Sequence, residues 1–331
     1  MMHPKVTVCI PTYNRSALLA DAIHSVLAQT YEDFTLLICD NASTDGTDKI
    51  VAAFRDNRIQ YHRHTKNIGM LGNYRFALTY PRTEFVAYLS DDDLYAPTLL
   101  ATAVDALEHW SGAAYFACVG AYFGGMSHGS LRPRGIYDTE TDLIYSPPSH
   151  AARFLGTDTP GPMVVSRRSA FEQNIVWPRA DFLPVDLFLL TQLMVQGGFL
   201  FCNQPLYHFR VHTDNTSMVT DRKRRLRFNV MCWYGIRWLT RFLLDRGANS
   251  LEEIEWHGRN SKSWEHHVVP LVLALSSYDS PPEWLAAARR IFAARSDVDV
   301  YSARFRLARR WGFWVLPLAE KLTQHAVGWK P

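Results

Sequence analysis

The sequence predicts an α/β protein, a mostly parallel sheet flanked by helices, followed by a C-terminal α-helical appendage. Three observations predict it. Over the first hundred residues, short β-branched runs alternate with segments of helical spacing, the pattern of βαβ units and of a parallel sheet covered on both faces. The chain of 331 residues is 47% hydrophobic, 13% aromatic and 20% charged, enough for a large buried core. Beyond Asp221 the texture changes to long helices bearing Arg and Trp.

Taken in order, "KVTVCI" (5–10) reads as the first strand. A helix follows from Ala17 to Ala28, with Leu18, Leu19, Ala22, Ile23, Val26 and Leu27 on one side. Then come a strand "FTLLICD" (34–40), a helix from about Thr47 to Phe54, a strand "RIQYH" (58–62), a helix near Leu71–Thr79 and a strand "TEFVAYLS" (83–90). Pro97 opens another helix. "AAYFACVG" is a strand, 120–150 is rich in Gly, Pro and Tyr and reads as loop, and "PMVVS" (162–166) is a strand again. "VDLFLLTQLMVQGG" (185–198) has helical spacing and stops at a glycine pair. "FLFCNQPLYHFRVH" (199–212) is rich in strand formers.

Several classes are excluded at this level. The net charge of +3 is too small to mark a nucleic-acid binder. Cys9, Cys39, Cys118, Cys202 and Cys232 are odd in number and widely spaced, so they read as buried thiols in a reducing compartment. No long apolar segment marks a signal peptide in "MMHPKVTVCIPTYNR", and no run of 18 apolar residues occurs. The expectation is a soluble cytoplasmic protein that at most rests on a membrane. GxGxxG after the first strand and GxxxxGK[ST] are both lacking, against a dinucleotide oxidoreductase and a P-loop enzyme.

In parallel sheets, ligands bind outside the carboxyl ends of the strands. The polar clusters fall there: "PTYNR" after the first strand, "DNASTDGT" after the second, "KNIG" after the third and "SDDD" after the fourth. Asp91, Asp92 and Asp93 are three like charges in a row. Each pair ~4 Å apart repels by ~4 kcal/mol at the effective dielectric of a protein surface. An acidic loop with Asx turns explains them plainly, whereas a bound Mg²⁺ or Mn²⁺ explains them by function. Rim position and repulsion favour the cation. Asp40 can accept the imide N–H of a uracil or thymine, and Tyr13 and Arg15 offer a stacking face and a phosphate partner. Asp186, among Val185, Leu187 and Phe188, is either a carboxylate at a helix N-terminus or a base with a raised pKa. His212 and Arg210 read as structural or as site residues.

Residues 6–47 ("VTVCIPTYNRSALLADAIHSVLAQTYEDFTLLICDNASTDGT"), with "NIGMLGN" (67–73), "LSDDDLYAP" (89–97), "PVDLFLL" (184–190) and "YHFRVHTDNTS" (207–217), resemble glycosyltransferase family 2 in order and spacing. These are inverting enzymes of the GT-A fold. The resemblance implies that Pro11, Thr12, Tyr13, Asn14, Arg15 and Asp40 hold the nucleobase and nearby ribose, with Ser43 beside them. It lays Asn67 and Gly69 against the nucleotide. Asp91, Asp92 and Asp93 match a DxD-type motif, Asp92 toward the ribose or donor sugar and Asp93 on the metal. Asp186 matches the catalytic base and His212 a histidine near the metal and diphosphate. The family's Glu before the base is Val185 here, Thr191–Gln192 stands where an Arg or Gln–Arg pair is common, and Ser90 replaces the usual first acid of the metal motif.

The implied chemistry is transfer of a sugar from a nucleoside-diphosphate sugar, UDP above all, to a hydroxyl of a saccharide or lipid-linked saccharide, with Mn²⁺ or Mg²⁺. A non-catalytic sugar-nucleotide binder and a metal-dependent hydrolase are the alternatives on the same fold. The predicted division is 1–218, with a nucleotide-sugar half at 1–112 and an acceptor half at 113–218, and a helical region at 219–331. In that region, 222–246 carry eight Arg or Lys against one acid, and 304–314 add four Arg and two Trp. Such helices are either an appendage with snorkelling Arg or a basic aromatic face on anionic lipid; they could also form a dimer interface.

Overall fold

The computed structural model describes residues 4–124, 129–131, 142–155, 163–173, 175–177, 185–212, 238–260 and 281–294, with single positions at 235, 271 and 275. The chain divides into two compact units: Met1–Pro147 with Thr159–Thr213, and Pro148–Asp158 with Asp214–Pro331.

The first unit is built on one ten-stranded sheet. Its first half is β1 (Val6–Thr12), α1 (Ser16–Leu27), β2 (Phe34–Asp40), α2 (Thr47–Ala53), β3 (Ile59–Arg63), α3 (Met70–Thr79) and β4 (Phe85–Tyr88). Strands β3, β2, β1 and β4 lie side by side and parallel, in that order. Their runs are apolar because both faces are covered. Val6, Val8 and Ile10 of β1 and Leu36 and Ile38 of β2 share one core with Leu19, Ile23 and Val26 of α1. Every fully buried Val, Leu or Ile side chain in such a core contributes about 1.5–3 kcal/mol over leaving it exposed.

The second half departs from simple parallel pairing. It comprises β5 (Leu94–Tyr95), α4 (Leu99–His109), β6 (Tyr115–Phe123), β7 (Gly129–Leu131), β8 (Leu143–Ser146), β9 (Met163–Arg167), α5 (Arg168–Glu172), α6 (Val185–Gly197) and β10 (Phe199–Arg210). β9 runs antiparallel between β4 and β6, and β6 pairs β10 in parallel. β5, β7 and β8 add short antiparallel pairings, two of them inside the stretch read as loop. The β6–β10 ladder shifts register around Pro205. A proline has no N–H to give the ladder, so an interior strand carries it only at such an irregularity. The glycine pair ends α6 as expected, with Gly198 at φ +70° in the left-handed region open to glycine. Cys9, Cys39, Cys118 and Cys202 are buried free thiols, and burial pushes each thiol up; Cys232 lies outside the described residues.

In the second unit a helix spans Leu251–Asn260 and another Pro282–Ala293. The first opens on a capping box: the Ser250 hydroxyl accepts from the Glu253 N–H, and Glu253 accepts from the Ser250 N–H. Arg290 and Arg259 both bond Glu255, which is buried. Of the basic aromatic stretch, residues 238–246 are described. There Trp238 stacks on Phe242, and Arg246 and Arg241 lie over the rings of Phe242 and Trp284. Residues 222–234 and 304–314 lie outside the described residues. Among the described residues no helix is long and apolar enough to cross a membrane.

Candidate active site

The parallel register sets the first part of the site. Thr12 pairs Asp40, so β1 and β2 end at the same level and deliver their loops to one edge. The two loops are laced together. The Asn14 N–H donates to the Ser43 hydroxyl (2.9 Å), the Thr44 N–H to Asn14 Oδ1 (2.8 Å) and the Ser16 N–H to Asp45 (2.8 Å). Asn14 takes a left-handed conformation (φ 53°), which Asn tolerates better than most residues. Pro11 is in β1 itself, and Tyr13 stands out at 46% exposure.

Asp40 is sealed, at 1% exposure. Its Oδ1 accepts from the Ser43 N–H (2.9 Å), and its Oδ2 takes the Tyr61 hydroxyl and lies 3.5 Å from Arg63 Nε. Arg63 also bonds the Ser43 carbonyl (2.6 Å). The imide-accepting role expected of Asp40 therefore has to share oxygens already engaged by β3. Burial and the Asp40 bond push the Tyr61 hydroxyl well up. Sequence reasoning missed Tyr61 and Arg63; the period-two spacing of "YHR", placing both on one side of β3, was the available signal.

Asn67 and Gly69 form part of a second lacing. Asn67 Oδ1 accepts from the Gly69 N–H (2.8 Å) and from Asn41 Nδ2 (3.0 Å), while Asn41 Oδ1 accepts from the Ile68 N–H (2.8 Å). Asn73 ties α3 to β2 through the Cys39 carbonyl (2.8 Å). Asn41 and Asn73 are buried and were not singled out by their sequence pattern.

The acid triplet lies past β4, next to β1, and all three residues are buried. Asp92 Oδ2 meets the Arg15 guanidinium and His212 Nε2 (3.0 Å). Arg15 also reaches Asp91 (3.4 Å). Asp93 is held differently: Oδ2 accepts from the Tyr207 hydroxyl (2.8 Å) and Oδ1 from the Arg210 N–H (2.9 Å). The Arg210 side chain bonds the Asp92 carbonyl (2.9 Å) and Asp21 (2.7 Å). Desolvation raises Asp93 to about 7, with Asp92 repelling, against the Arg210 N–H and Tyr207 hydroxyl. Desolvation likewise raises Asp91 to about 6, while Arg15 and the Thr12 hydroxyl pull it back. In the chain by itself the repulsion is thus met by Arg15, by His212 and by proton uptake.

The donor set bears on a cation. Among the described residues no group of three or more His, Cys, Asp or Glu could hold a metal ion. Mg²⁺ needs fewer, since it is commonly held by one or two protein groups plus substrate phosphates. Asp92 fits that pattern, because its Oδ1 has no hydrogen-bond partner among the described residues, and His212 Nε2 lies beside its Oδ2 (3.0 Å). Asp93 fits it less well, with both oxygens engaged.

Asp186 occupies the first turn of α6. Asp186 is exposed while Val185 and Phe188 turn inward. Its charge is felt by buried Tyr74, whose hydroxyl is pushed up by burial, then by Tyr88 and Asp186. Tyr74 packs on Tyr88 (centroids 4.6 Å apart), and Tyr88 is in turn raised by burial and by the charges of Asp91, Asp92 and Asp93. Gln192, where the family's arginine pattern is missing, clasps the backbone of Val176 through both its carbonyl (2.8 Å) and its amide (3.0 Å).

Comparison with known proteins places this arrangement. The model of "Glycosyl transferase family 2" matches residues 7–175, half of the chain. The Escherichia coli UDP-Glc:alpha-D-GlcNAc-diphosphoundecaprenol beta-1,3-glucosyltransferase WfgD is 37% identical over 90 residues, 27% of this chain and 36% of WfgD. The chain spans little more than a third of the length of the first curated relatives it matches, 39% and 36%. Among solved structures, S. aureus TarS 1–349 in complex with UDP-GlcNAc superposes with a TM-score of 0.64 at 16% identity, covering 98% of this chain and 92% of that one. The mannosyltransferase PcManGT from Pyrobaculum calidifontis, in complex with GDP-Man and Mn²⁺, gives 0.54 at 18% identity, covering 99% and 85%. The fold is the GT-A fold of these glycosyltransferases, and the chain belongs to glycosyl transferase family 2.

Proposed function

We propose that the chain is an inverting glycosyltransferase moving a sugar from a nucleoside-diphosphate sugar, a UDP-sugar first, to a hydroxyl of a saccharide or lipid-linked saccharide. The observation that carries this reading is the meeting of four strand-end segments at one sheet edge. Asp40 and Ser43 sit at one end of it, and Arg15, Asp92 and His212 at the other. WfgD, by name, uses a UDP-sugar and a diphosphoundecaprenol-linked acceptor, and TarS is complexed with UDP-GlcNAc; both support this choice of substrates.

Each group has a task. Tyr13 is the stacking face for the base, and Asp40 accepts its imide N–H on an oxygen fixed by Ser43 and Tyr61. Thr12, Asn14, Ser43, Asn67 and Gly69 shape the backbone around base and ribose, and Pro11 lies in β1 next to Thr12. Arg15 moves from the acids to the donor's phosphates. A divalent cation brought with the donor would be held by Asp92 and His212 and would offset charge on the departing diphosphate. Asp91 and Asp93 set the field there, Asp93 by holding Tyr207 and the Arg210 backbone. Asp186 takes the proton from the acceptor hydroxyl. The hydroxyl oxygen bonds to the anomeric carbon from the face opposite the diphosphate, the carbon–oxygen bond to the diphosphate breaks, and the nucleoside diphosphate leaves. The two-half nucleotide and acceptor division, and contact of the C-terminal helices with a membrane face or a second copy, belong to this reading.

Thermal-shift titration with UDP, dTDP, GDP, CDP and their sugars, with and without Mn²⁺, tests it. A stabilisation specific to one base and increased by Mn²⁺ supports the reading. Equal melting with every nucleotide removes it.

A further inference from the structure

The donor reading gives the Arg210 side chain no task, yet that side chain is held on three sides. Its Nε donates to the Asp92 main-chain carbonyl (2.9 Å) and its Nη2 to Asp21 Oδ2 on α1 (2.7 Å). Its guanidinium carbon lies 4.7 Å from the centroid of the Phe123 ring. The main chain is fixed as well. The Arg210 N–H donates to Asp93 Oδ1 (2.9 Å), Arg210 pairs Phe123 in the β6–β10 ladder, and the Val211 N–H donates to the Phe123 carbonyl (2.8 Å). His212 comes next along the chain, with Nε2 3.0 Å from Asp92 Oδ2. One arginine therefore links the main chains of the two residues assigned to the cation. It reaches Asp92 by a hydrogen bond and His212 through the peptide chain.

We infer that Arg210 is a positioning residue for the cation, with Asp21 as its outer anchor on α1. Three adjacent like charges tend to splay apart. Sites for Mg²⁺ and similar ions tolerate little departure from their geometry. Arg210 opposes the splaying at the main chain, because its bond to the Asp92 carbonyl leaves the Asp92 carboxylate facing His212. The residue type matters. Arginine donates in fixed, separate directions, here Nε to the carbonyl and Nη2 to Asp21, whereas a lysine ammonium is a single point of charge. Asp21 is exposed and far along the sequence from the triplet, so its part is to aim the guanidinium. The inference rests on the reading of Asp92 and His212 as the cation's holders, and adds what sets their separation.

Isothermal titration of the full chain with UDP, once in EDTA and once in Mn²⁺, tests it apart from turnover. The ratio of the two affinities measures what the cation adds. Arg210→Ala lowers that ratio by about tenfold or more, the scale of one hydrogen bond to a charged group, and leaves UDP affinity in EDTA as it was. Arg210→Lys recovers only part of the loss. Asp21→Asn lowers the ratio by about two- to fivefold at an unchanged melting temperature, the scale of an exposed ion pair. An unchanged ratio in Arg210→Ala overturns the inference. So does an equal fall of UDP affinity in EDTA and in Mn²⁺, the mark of a merely structural arginine. Should Arg210→Ala fail to fold, Asp21→Asn decides, and an unchanged ratio there overturns the inference equally. The parent chain separates the two readings. Equal UDP binding by the parent in EDTA and in Mn²⁺ brings down the cation reading and this role with it. A parent that responds to Mn²⁺ beside an Arg210→Ala chain that responds as strongly brings down the positioning role alone.

Discussion

The carboxylates of the strand-end rim and the carboxylate on α6 have opposite surroundings. Asp40, Asp91, Asp92 and Asp93 are buried, and each has named partners from other strands or loops. Asp186 is exposed at a helix start. The difference teaches what each can do. Buried, bonded acids are held in fixed positions, where they can organise a polyanionic ligand and its counter-cation, and their removal is felt as lost affinity or altered stability. An exposed acid at a helix N-terminus is open to an incoming hydroxyl, and removal of such a base is felt in rate once a substrate closes over it.

The largest expected effect breaks the comparison on the exposed side. Asp186→Asn lowers the transfer rate by about 10²–10⁴-fold, the usual share of general base catalysis. Melting temperature and nucleotide affinity stay as they were. A single-turnover assay paired with a nucleotide titration measures both, and a matching loss of nucleotide affinity would make Asp186 an organiser rather than a base.

On the buried side, Asp92→Asn leaves Arg15 and His212 facing a neutral amide. Hydrogen bonds to charged groups contribute about 1.5–3 kcal/mol each, so donor affinity in Mn²⁺ falls by roughly 10- to 100-fold. Asp93→Asn is expected to weaken it less, since both Asp93 oxygens already serve Tyr207 and Arg210. Equal losses in the two variants would return the cation to Asp93.

How much of this was legible in the sequence follows the same division. β1, β2 and β4 announced themselves because strands buried on both faces are continuous apolar runs, and their loops fell on the rim by the rule of parallel sheets. β5, with two residues, and β7 and β8, in a Gly- and Tyr-rich stretch, are too short to show a period. The acids themselves were visible, but their partners were not. Arg15 meets Asp92 across 77 positions and Tyr207 meets Asp93 across 114, and only the strand order brings them together. Burial was equally hidden: the triplet's local repulsion pointed to an outside cation, but not to the guanidinium and the raised pKa values that the fold itself supplies. For Asp186 the apolar neighbours left two settings open, because on a helix Val185 and Phe188 face the core without carrying Asp186 with them.

Acidity sharpens the comparison further. Burial raises Asp93 from its ordinary value near 3.8 to about 7, so the folded chain holds a proton that the unfolded chain has lost. Stability from this group is full below about pH 4 and declines as pH rises through about 7. Asp93→Asn keeps an acceptor for the Arg210 N–H, and the Tyr207 hydroxyl can turn to accept from the new amide. In EDTA the variant should melt higher than the parent at pH 8 and no higher at pH 4. Parallel melting curves across that window would show that Asp93 is ionised throughout.

The smallest expected effect concerns Tyr61. Its hydroxyl donates to Asp40 Oδ2, the oxygen that also faces Arg63, and this oxygen has to serve the base if Asp40 reads an imide. Tyr61→Phe removes one net hydrogen bond, costing about 1 kcal/mol of stability. The same change frees a lone pair of Asp40, so UDP affinity should hold or rise by about two- to fivefold, the equivalent of up to ~1 kcal/mol. A fall in UDP affinity on titration would mean that the base is read by the Tyr61 hydroxyl, with Asp40 acting behind it. The sealed carboxylate would then be a support for the reader, and Arg63 beside it the second reading group.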